Sequence, residues 1–81
     1  MNQPNPEPRG TRPDAETAEA IILVKNVGCL RATYQVRLLA LRAAAEGRRL
    51  VLRVPPRCRF DGTLLGLSAA LPRVIAREDL P

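Results

Sequence analysis

The reactive side chains of this sequence lie in two short segments, one around Cys29 and the other in residues 57–63. Cys29 and Cys58 are the two thiols of the chain, and an Asp61-Gly62-Thr63 turn begins three residues after the second. Three cations lie beside them: Arg31, Arg57 and Arg59. Cations near a thiol stabilise its reactive thiolate, and arginines together with free helix N–H groups bind an anion or a phosphoryl group. The segments therefore predict thiol chemistry or anion contact.

The chain contains no histidine, and this absence narrows the chemistry. Histidine is the commonest general base and the commonest metal ligand, and two cysteines without it do not make a zinc site. We therefore expect no metal, no other cofactor and no enzymatic activity. A free cysteine is also a small apolar core residue. A structural role for Cys29 and Cys58 thus stays open, as does a disulfide between them.

Two aliphatic segments, residues 21–27 and 50–54, flank a helical pattern over residues 30–46 that Gly47 ends. The order strand, helix, strand predicts parallel strands. Parallel strands end at the same edge of a sheet, so the fold should bring residues 28–31 and 57–63 together. We call these two segments the rim. The first aliphatic run is nearly continuous, which is typical of a strand covered on both faces.

A second helix should follow Asp61, which is a favourable N-cap residue. Apolar side chains then recur at helical spacing up to Pro72: Phe60, Leu64, Leu67 and Leu71. Residues 73–77 are a candidate third strand whose direction the sequence leaves open. The fold class is therefore α/β. We expect a small β-α-β-α-β domain at 21–81, with a mostly parallel sheet and two helices, after a disordered Pro-rich tail at 1–20.

The first predicted helix carries two apolar stripes. One contains Leu30, Tyr34, Leu38, Leu41 and Ala45, and the other contains Ala32, Val36, Leu39 and Ala43. One stripe must pack on the sheet. The other needs the following helix or another subunit, because it would otherwise leave an apolar patch in water. We favour the following helix as its cover.

The net charge is unevenly distributed along the chain. Residues 1–20 carry two basic and four acidic side chains, a net charge of −2, whereas residues 21–81 carry eleven basic and four acidic ones, a net charge of +7. A basic domain favours an acidic or nucleic-acid partner. Tyr34 and Phe60 are the only aromatic residues, so no platform for stacking bases is visible, and nucleic acid is only a further alternative.

The size of the predicted domain favours a binding partner. About sixty residues form a marginal core, so a homodimer or a partner protein would supply the missing contacts. The sequence has no apolar stretch long enough to span a bilayer and no apolar core of a secretory signal. We therefore expect a cytoplasmic protein that binds another protein.

The centre of the chain resembles STAS domains, the fold of anti-sigma-factor antagonists. The resemblance rests on the strand at 48–54 followed by Phe60-Asp61-Gly62-Thr63-Leu64-Leu65-Gly66-Leu67. STAS domains follow a buried strand with an Asp-Ser/Thr-Ser/Thr-Gly-Leu-Gly turn that opens a helix. The resemblance implies that Thr63 occupies the phosphorylated position, with Asp61 and Gly62 beside it, and that phosphate there switches a protein-binding surface.

A competing resemblance is to the small sulfur carriers of the TusA type. These proteins have a similar length, begin with a strand and place a reactive cysteine at the start of the first helix. Cys29 would be that residue, and its thiolate would accept sulfur as a persulfide. The family has Cys-Pro-x-Pro there, where this chain has Cys29-Leu30-Arg31-Ala32. The sequence thus predicts a regulatory or protein-interaction module that binds through the rim or the first helix, with a thiol-dependent sulfur carrier or redox protein as the alternative.

Overall fold

Within residues 12–81, which the computed structural model describes, the chain forms six strands and two helices. In chain order they are β1 (Ala15–Glu16), β2 (Ala20–Val24), β3 (Cys29–Leu30), α1 (Tyr34–Glu46), β4 (Arg49–Val54), β5 (Arg59–Phe60), α2 (Gly62–Ala70) and β6 (Ile75–Asp79).

The main sheet has the strand order β1-β2-β4-β6. β2, β4 and β6 run parallel, with Ile21 paired to Leu50 and Leu50 to Ile75, whereas β1 runs antiparallel to β2. The predicted α/β class, with a mostly parallel sheet and two helices, is confirmed. The third predicted strand is parallel to the second and begins at Ile75, two residues later than the sequence pattern indicated.

The folded domain starts earlier than residue 21, the boundary that the sequence predicted. The Asp14 N–H donates to the Ile22 carbonyl over 2.9 Å, and the Asp14 carboxylate accepts from the Val24 N–H over 2.8 Å. Thr17 Oγ1 accepts from the Ala20 N–H over 3.0 Å. These bonds hold β1 along β2, so the boundary of the predicted tail moves towards the N-terminus. The remainder of that tail, residues 1–11, lies outside the described residues.

The core lies between one face of the main sheet and the two helices. Alternate residues of β2 and β4 are buried on that face: Ile21, Leu23, Leu50, Leu52 and Val54. The helices complete the same cluster with Val36, Leu39, Ala43 and Leu64. Ile22 and Val51, on the opposite face, are only partly buried. The expectation that the first strand is covered on both faces was therefore wrong, because both helices pack on the same side.

The first helix is shorter than its apolar spacing predicted. It begins at Tyr34, and Leu30 belongs instead to β3, where its side chain is buried in the core. Thr33 caps the helix, because its Oγ1 accepts from the Val36 N–H over 3.3 Å. Gly47 ends it in the left-handed region with φ of 69°, as the sequence predicted.

The second helix begins where the sequence predicted. Asp61 is its N-cap, with Oδ1 accepting from the Leu64 N–H over 3.0 Å. Leu64 is fully buried. The rest of the predicted stripe is partly buried against the core: Phe60, Leu67 and Leu71. The apolar side of α2 therefore packs on the core.

Candidate functional site

The two segments of the rim are joined by a small parallel sheet. β3 and β5 pair Cys29 with Arg59. Backbone bonds extend the pairing on both sides, since the Arg59 N–H donates to the Gly28 carbonyl over 2.9 Å and the Asp61 N–H donates to the Leu30 carbonyl over 3.0 Å. The structure therefore brings residues 28–31 and 57–63 together beyond the carboxyl ends of β2 and β4.

The Asp61-Gly62-Thr63 turn connects the two segments through its hydroxyl. Thr63 Oγ1 donates to Asp61 Oδ1 over 2.6 Å and accepts from the Ala32 N–H over 3.0 Å. The same carboxylate oxygen caps α2. These bonds, the one from Thr63 foremost, hold the pKa of Asp61 below its usual value. Gly62 is exposed at the start of the helix.

A shallow cavity of about 300 Å³ lies where the start of α1 meets the Asp61-Gly62-Thr63 turn. It is lined by Arg31, Ala32, Thr33, Arg37 and Thr63. Arg37 is oriented by its Nε, which donates to the Ala32 carbonyl over 3.0 Å. Two guanidinium groups beside the first turn of a helix give the cavity a positive potential. It suits a carboxylate or a phosphoryl group.

The two cysteines occupy different environments, and both are free thiols. Cys29 is exposed in β3, four residues before the N-cap of α1, so the expected position at a helix start is wrong. Cys58 is buried, and its Sγ donates to the Arg59 carbonyl at 3.7 Å. The first thiol is therefore accessible and lies outside any helix N-terminus, and the second is part of the core.

The predicted anion contacts separate into two groups. Arg31 lines the cavity, whereas Arg57 and Arg59 are exposed elsewhere on the second segment of the rim. Sequence reasoning missed Arg37, which lies one turn into α1 and completes the cavity. Its position four residues after Thr33 was the signal that could have identified it.

Arg77 of β6 was also missed, and it fixes the second segment of the rim. Its Nη1 donates to the Cys58 carbonyl over 2.8 Å, and its Nη2 donates to the carbonyls of Pro55 and Pro56 over 3.1 and 3.0 Å. Its guanidinium carbon lies 5.2 Å from the centre of the Phe60 ring. No local pattern indicates these contacts, because they join residues about twenty positions apart.

The outer side of α1 carries an uncovered apolar stripe. We call it the α1 stripe, and its residues are Tyr34, Leu38, Leu41 and Ala45. Tyr34 is 67% exposed and Leu41 60% exposed. The inner stripe, by contrast, is fully buried at Val36 and Leu39. We expected the following helix to cover the stripe that does not pack on the sheet, and that expectation was wrong.

Comparison with protein-family models, with curated proteins and with solved structures found no match for this chain. Within the part of the chain that the structure describes, no three histidine, cysteine or acidic side chains are grouped closely enough to hold a metal ion. Neither α1 nor α2, the helices found in residues 12–81, has the length and apolar character needed to cross a bilayer.

Proposed function

We propose that this protein is a non-enzymatic interaction module that binds another protein through the α1 stripe and the adjoining rim. The observation that carries the proposal is the exposure of Tyr34 and Leu41 on a helix whose opposite side already fills the core. Contiguous apolar surface of this kind marks an interaction site, because water contact with it is removed only when a partner covers it.

The spacing of the α1 stripe indicates how a partner would pack. Tyr34, Leu38, Leu41 and Ala45 follow one another at intervals of four, three and four residues, which is the pattern of a seam between two helices. The stripe runs for about 17 Å along the helix at 1.5 Å per residue. That length is somewhat less than the roughly 21 Å of two heptads, so the surface accommodates one short amphipathic helix.

The experiment that tests the proposal compares two substitutions of exposed leucines. Leu41→Glu places a carboxylate in the α1 stripe, whereas Leu65→Glu does the same on the exposed side of α2, where Leu65 is 57% exposed. We expect immobilised wild-type protein and the Leu65→Glu variant to retain the same partner from native cells, and Leu41→Glu to lose it. The affinity of the purified partner should fall at least tenfold with Leu41→Glu alone. Equal affinities for the two variants would contradict the proposal.

A second candidate function is a phosphorylation switch at Thr63, and the cavity favours it. Thr63 is an exposed residue and lines the cavity together with Arg31 and Arg37. A phosphoryl group there would replace the hydrogen donated to Asp61, repel that carboxylate and attract both guanidinium groups. Thr63→Glu should therefore weaken partner binding, while Thr63→Ser, which keeps the hydroxyl, should preserve it. Equal binding by both variants would count against a switch.

A further inference from the structure

We infer that the partner of the α1 stripe is an acidic amphipathic helix. This inference rests on the proposed function and adds the chemistry of the partner to it. It follows from the distribution of charge around the stripe, from the residues that flank the stripe on α1, and from what a second copy of the chain would bring to the same surface.

The acidic side chains near α1 are already engaged within the domain. Glu16 and Glu46 bind Arg42 and Arg48 near the carboxyl end of α1, with Arg42 Nη2 and Arg48 Nη2 at 2.8 and 3.0 Å from Glu16 Oε1. The hydrogen bond between these two side chains, Arg48 and Glu46, lowers the pKa of Glu46 and raises the pKa of Arg48. This cluster is internally neutralised, so it offers little to a charged partner.

The amino end of α1 is different, because its arginines form no ion pair within the described residues, although the charge of Arg31 helps to lower the pKa of Asp61. Within residues 12–81, no ion pair involves the four arginines around the rim: Arg31, Arg37, Arg57 and Arg59. Arg37 follows Tyr34 by one turn, and Arg31 lines the same cavity as Arg37. The N-terminal half of the α1 stripe is therefore bordered by Arg37, which has no ion pair among the described residues and which a carboxylate would complement.

The positions beside the seam are basic or uncharged. In the heptad that places Leu38 and Ala45 at a, the flanking e and g positions hold Gln35, Arg37, Arg42 and Ala44. Charges at these positions select the partner of a helix pair. Arg42 is already paired with Glu16 and Glu46, so Arg37 is the cation at these positions that a glutamate of the partner helix would meet.

A second copy of the chain does not supply the carboxylate that Arg37 lacks. In a parallel pair of α1 helices, position g faces position e of the next heptad, which places Arg37 of one copy against Arg42 of the other. In an antiparallel pair, g faces g and e faces e, so Arg37 meets Ala44 and Gln35 meets Arg42. Neither arrangement puts a carboxylate at the position that faces Arg37.

Two synthetic peptides serve as the probe. Each is a helix of about 18 residues, or five turns, with leucine at a and d; one carries glutamate at e and g and the other carries lysine. We expect the glutamate peptide to bind the full chain at least tenfold more tightly than the lysine peptide, as measured by fluorescence anisotropy. Added salt should weaken this binding, because the contacts are exposed.

Matched variants locate the contact. Leu41→Glu should abolish binding of the glutamate peptide, and Arg37→Glu should weaken it about tenfold. Arg73→Glu is the control, because Arg73 is an exposed arginine that lines a different cavity, with Arg49 and Ile75 at the other end of the sheet. The affinity of the Arg73→Glu variant for the glutamate peptide should stay within about twofold of wild type. If it fell as far as that of Arg37→Glu, the net charge of the protein alone would explain the loss, and the inference would be overturned.

The remaining outcomes separate this inference from the proposed function. Equal binding of the two peptides overturns the acidic partner and leaves the interaction module standing. If neither peptide binds, cross-linking of the partner retained through Leu41 decides the question: an acidic helical segment supports the inference, and a neutral or basic one overturns it. Self-association, or binding to anionic lipid vesicles, that is lost in Leu41→Glu would also overturn it. Only the absence of any partner sensitive to Leu41→Glu removes the proposed function itself.

Discussion

Thr63 shows how one hydroxyl can hold two distant loops together. It donates to Asp61 and accepts from the Ala32 N–H, 31 residues away in sequence. The N-cap role of Asp61 was predictable from its residue type and from the helical pattern that follows. The bond to Ala32 was not, because it depends on the pairing of β3 with β5, and neither two-residue strand leaves a local signal.

At the scale of single residues, the Asp61 carboxylate should make the free energy of unfolding depend on pH. Its hydrogen bonds from Thr63 and from the Leu64 N–H place its folded-state pKa below that of the unfolded chain. The stabilisation is therefore fully present above the unfolded value of about 4 and is lost as the pH falls through the folded value. We expect the free energy of unfolding, from urea titrations between about pH 2 and 6, to fall less steeply with acid in Asp61→Asn than in wild type.

Asparagine is suitable for this test because it also caps helices well. The variant should therefore stay folded while losing the titrating group. Glu46, whose pKa is lowered by Arg48, should contribute to the same acid limb, so Glu46→Gln should flatten it separately. Parallel pH profiles for wild type and Asp61→Asn would show that folding does not lower the pKa of Asp61.

At the scale of the elements, two glycines should respond to the same substitution with opposite signs. Gly47 ends α1 at φ of 69°, whereas Gly66 lies inside α2, and a Cβ at either position meets no atom within 4 Å. Gly47→Ala should destabilise the protein by about 1–2 kcal/mol because alanine is strained in the left-handed region. Gly66→Ala should stabilise it by about 0.5–1 kcal/mol because alanine loses less entropy in a helix. Urea titrations in which both changes have the same sign would refute this assignment of backbone strain.

The ends of the elements also mark the limit of sequence-based prediction. Gly47 and Asp61 were identified correctly because termination and capping depend on local chemistry. The start of α1 was placed four residues early because Leu30 lies at helical spacing from Tyr34. In the structure, Leu30 belongs to β3 instead, and pairing with β5 decides that assignment. β1 likewise depends on contacts with another strand, because hydrogen bonds between Asp14 and residues of β2 fix its position.

At the scale of the whole molecule, the order of strands and helices was predictable but the orientation of α1 was not. Both sides of this helix are apolar, so its sequence does not distinguish the side that faces the sheet. The main sheet contacts one side through Val36 and Leu39, while α2 contributes Leu64 to the same core and leaves the other side of α1 uncovered. The sequence therefore identified the residues of the α1 stripe, but packing decides that this side of the helix stays uncovered.

Two leucines two residues apart test this orientation. Leu39 is fully buried and Leu41 is 60% exposed. Leu39→Ala should therefore destabilise the domain by about 2–5 kcal/mol, through lost burial and the cavity left behind, whereas Leu41→Ala should change its stability by less than about 0.5 kcal/mol. A domain of this size has about 4–10 kcal/mol in total, so Leu39→Ala should be close to unfolding in calorimetry while Leu41→Ala melts like wild type. If Leu41→Ala were the more damaging change, α1 would be packed through its other side, and the surface proposed for partner binding would be part of the core.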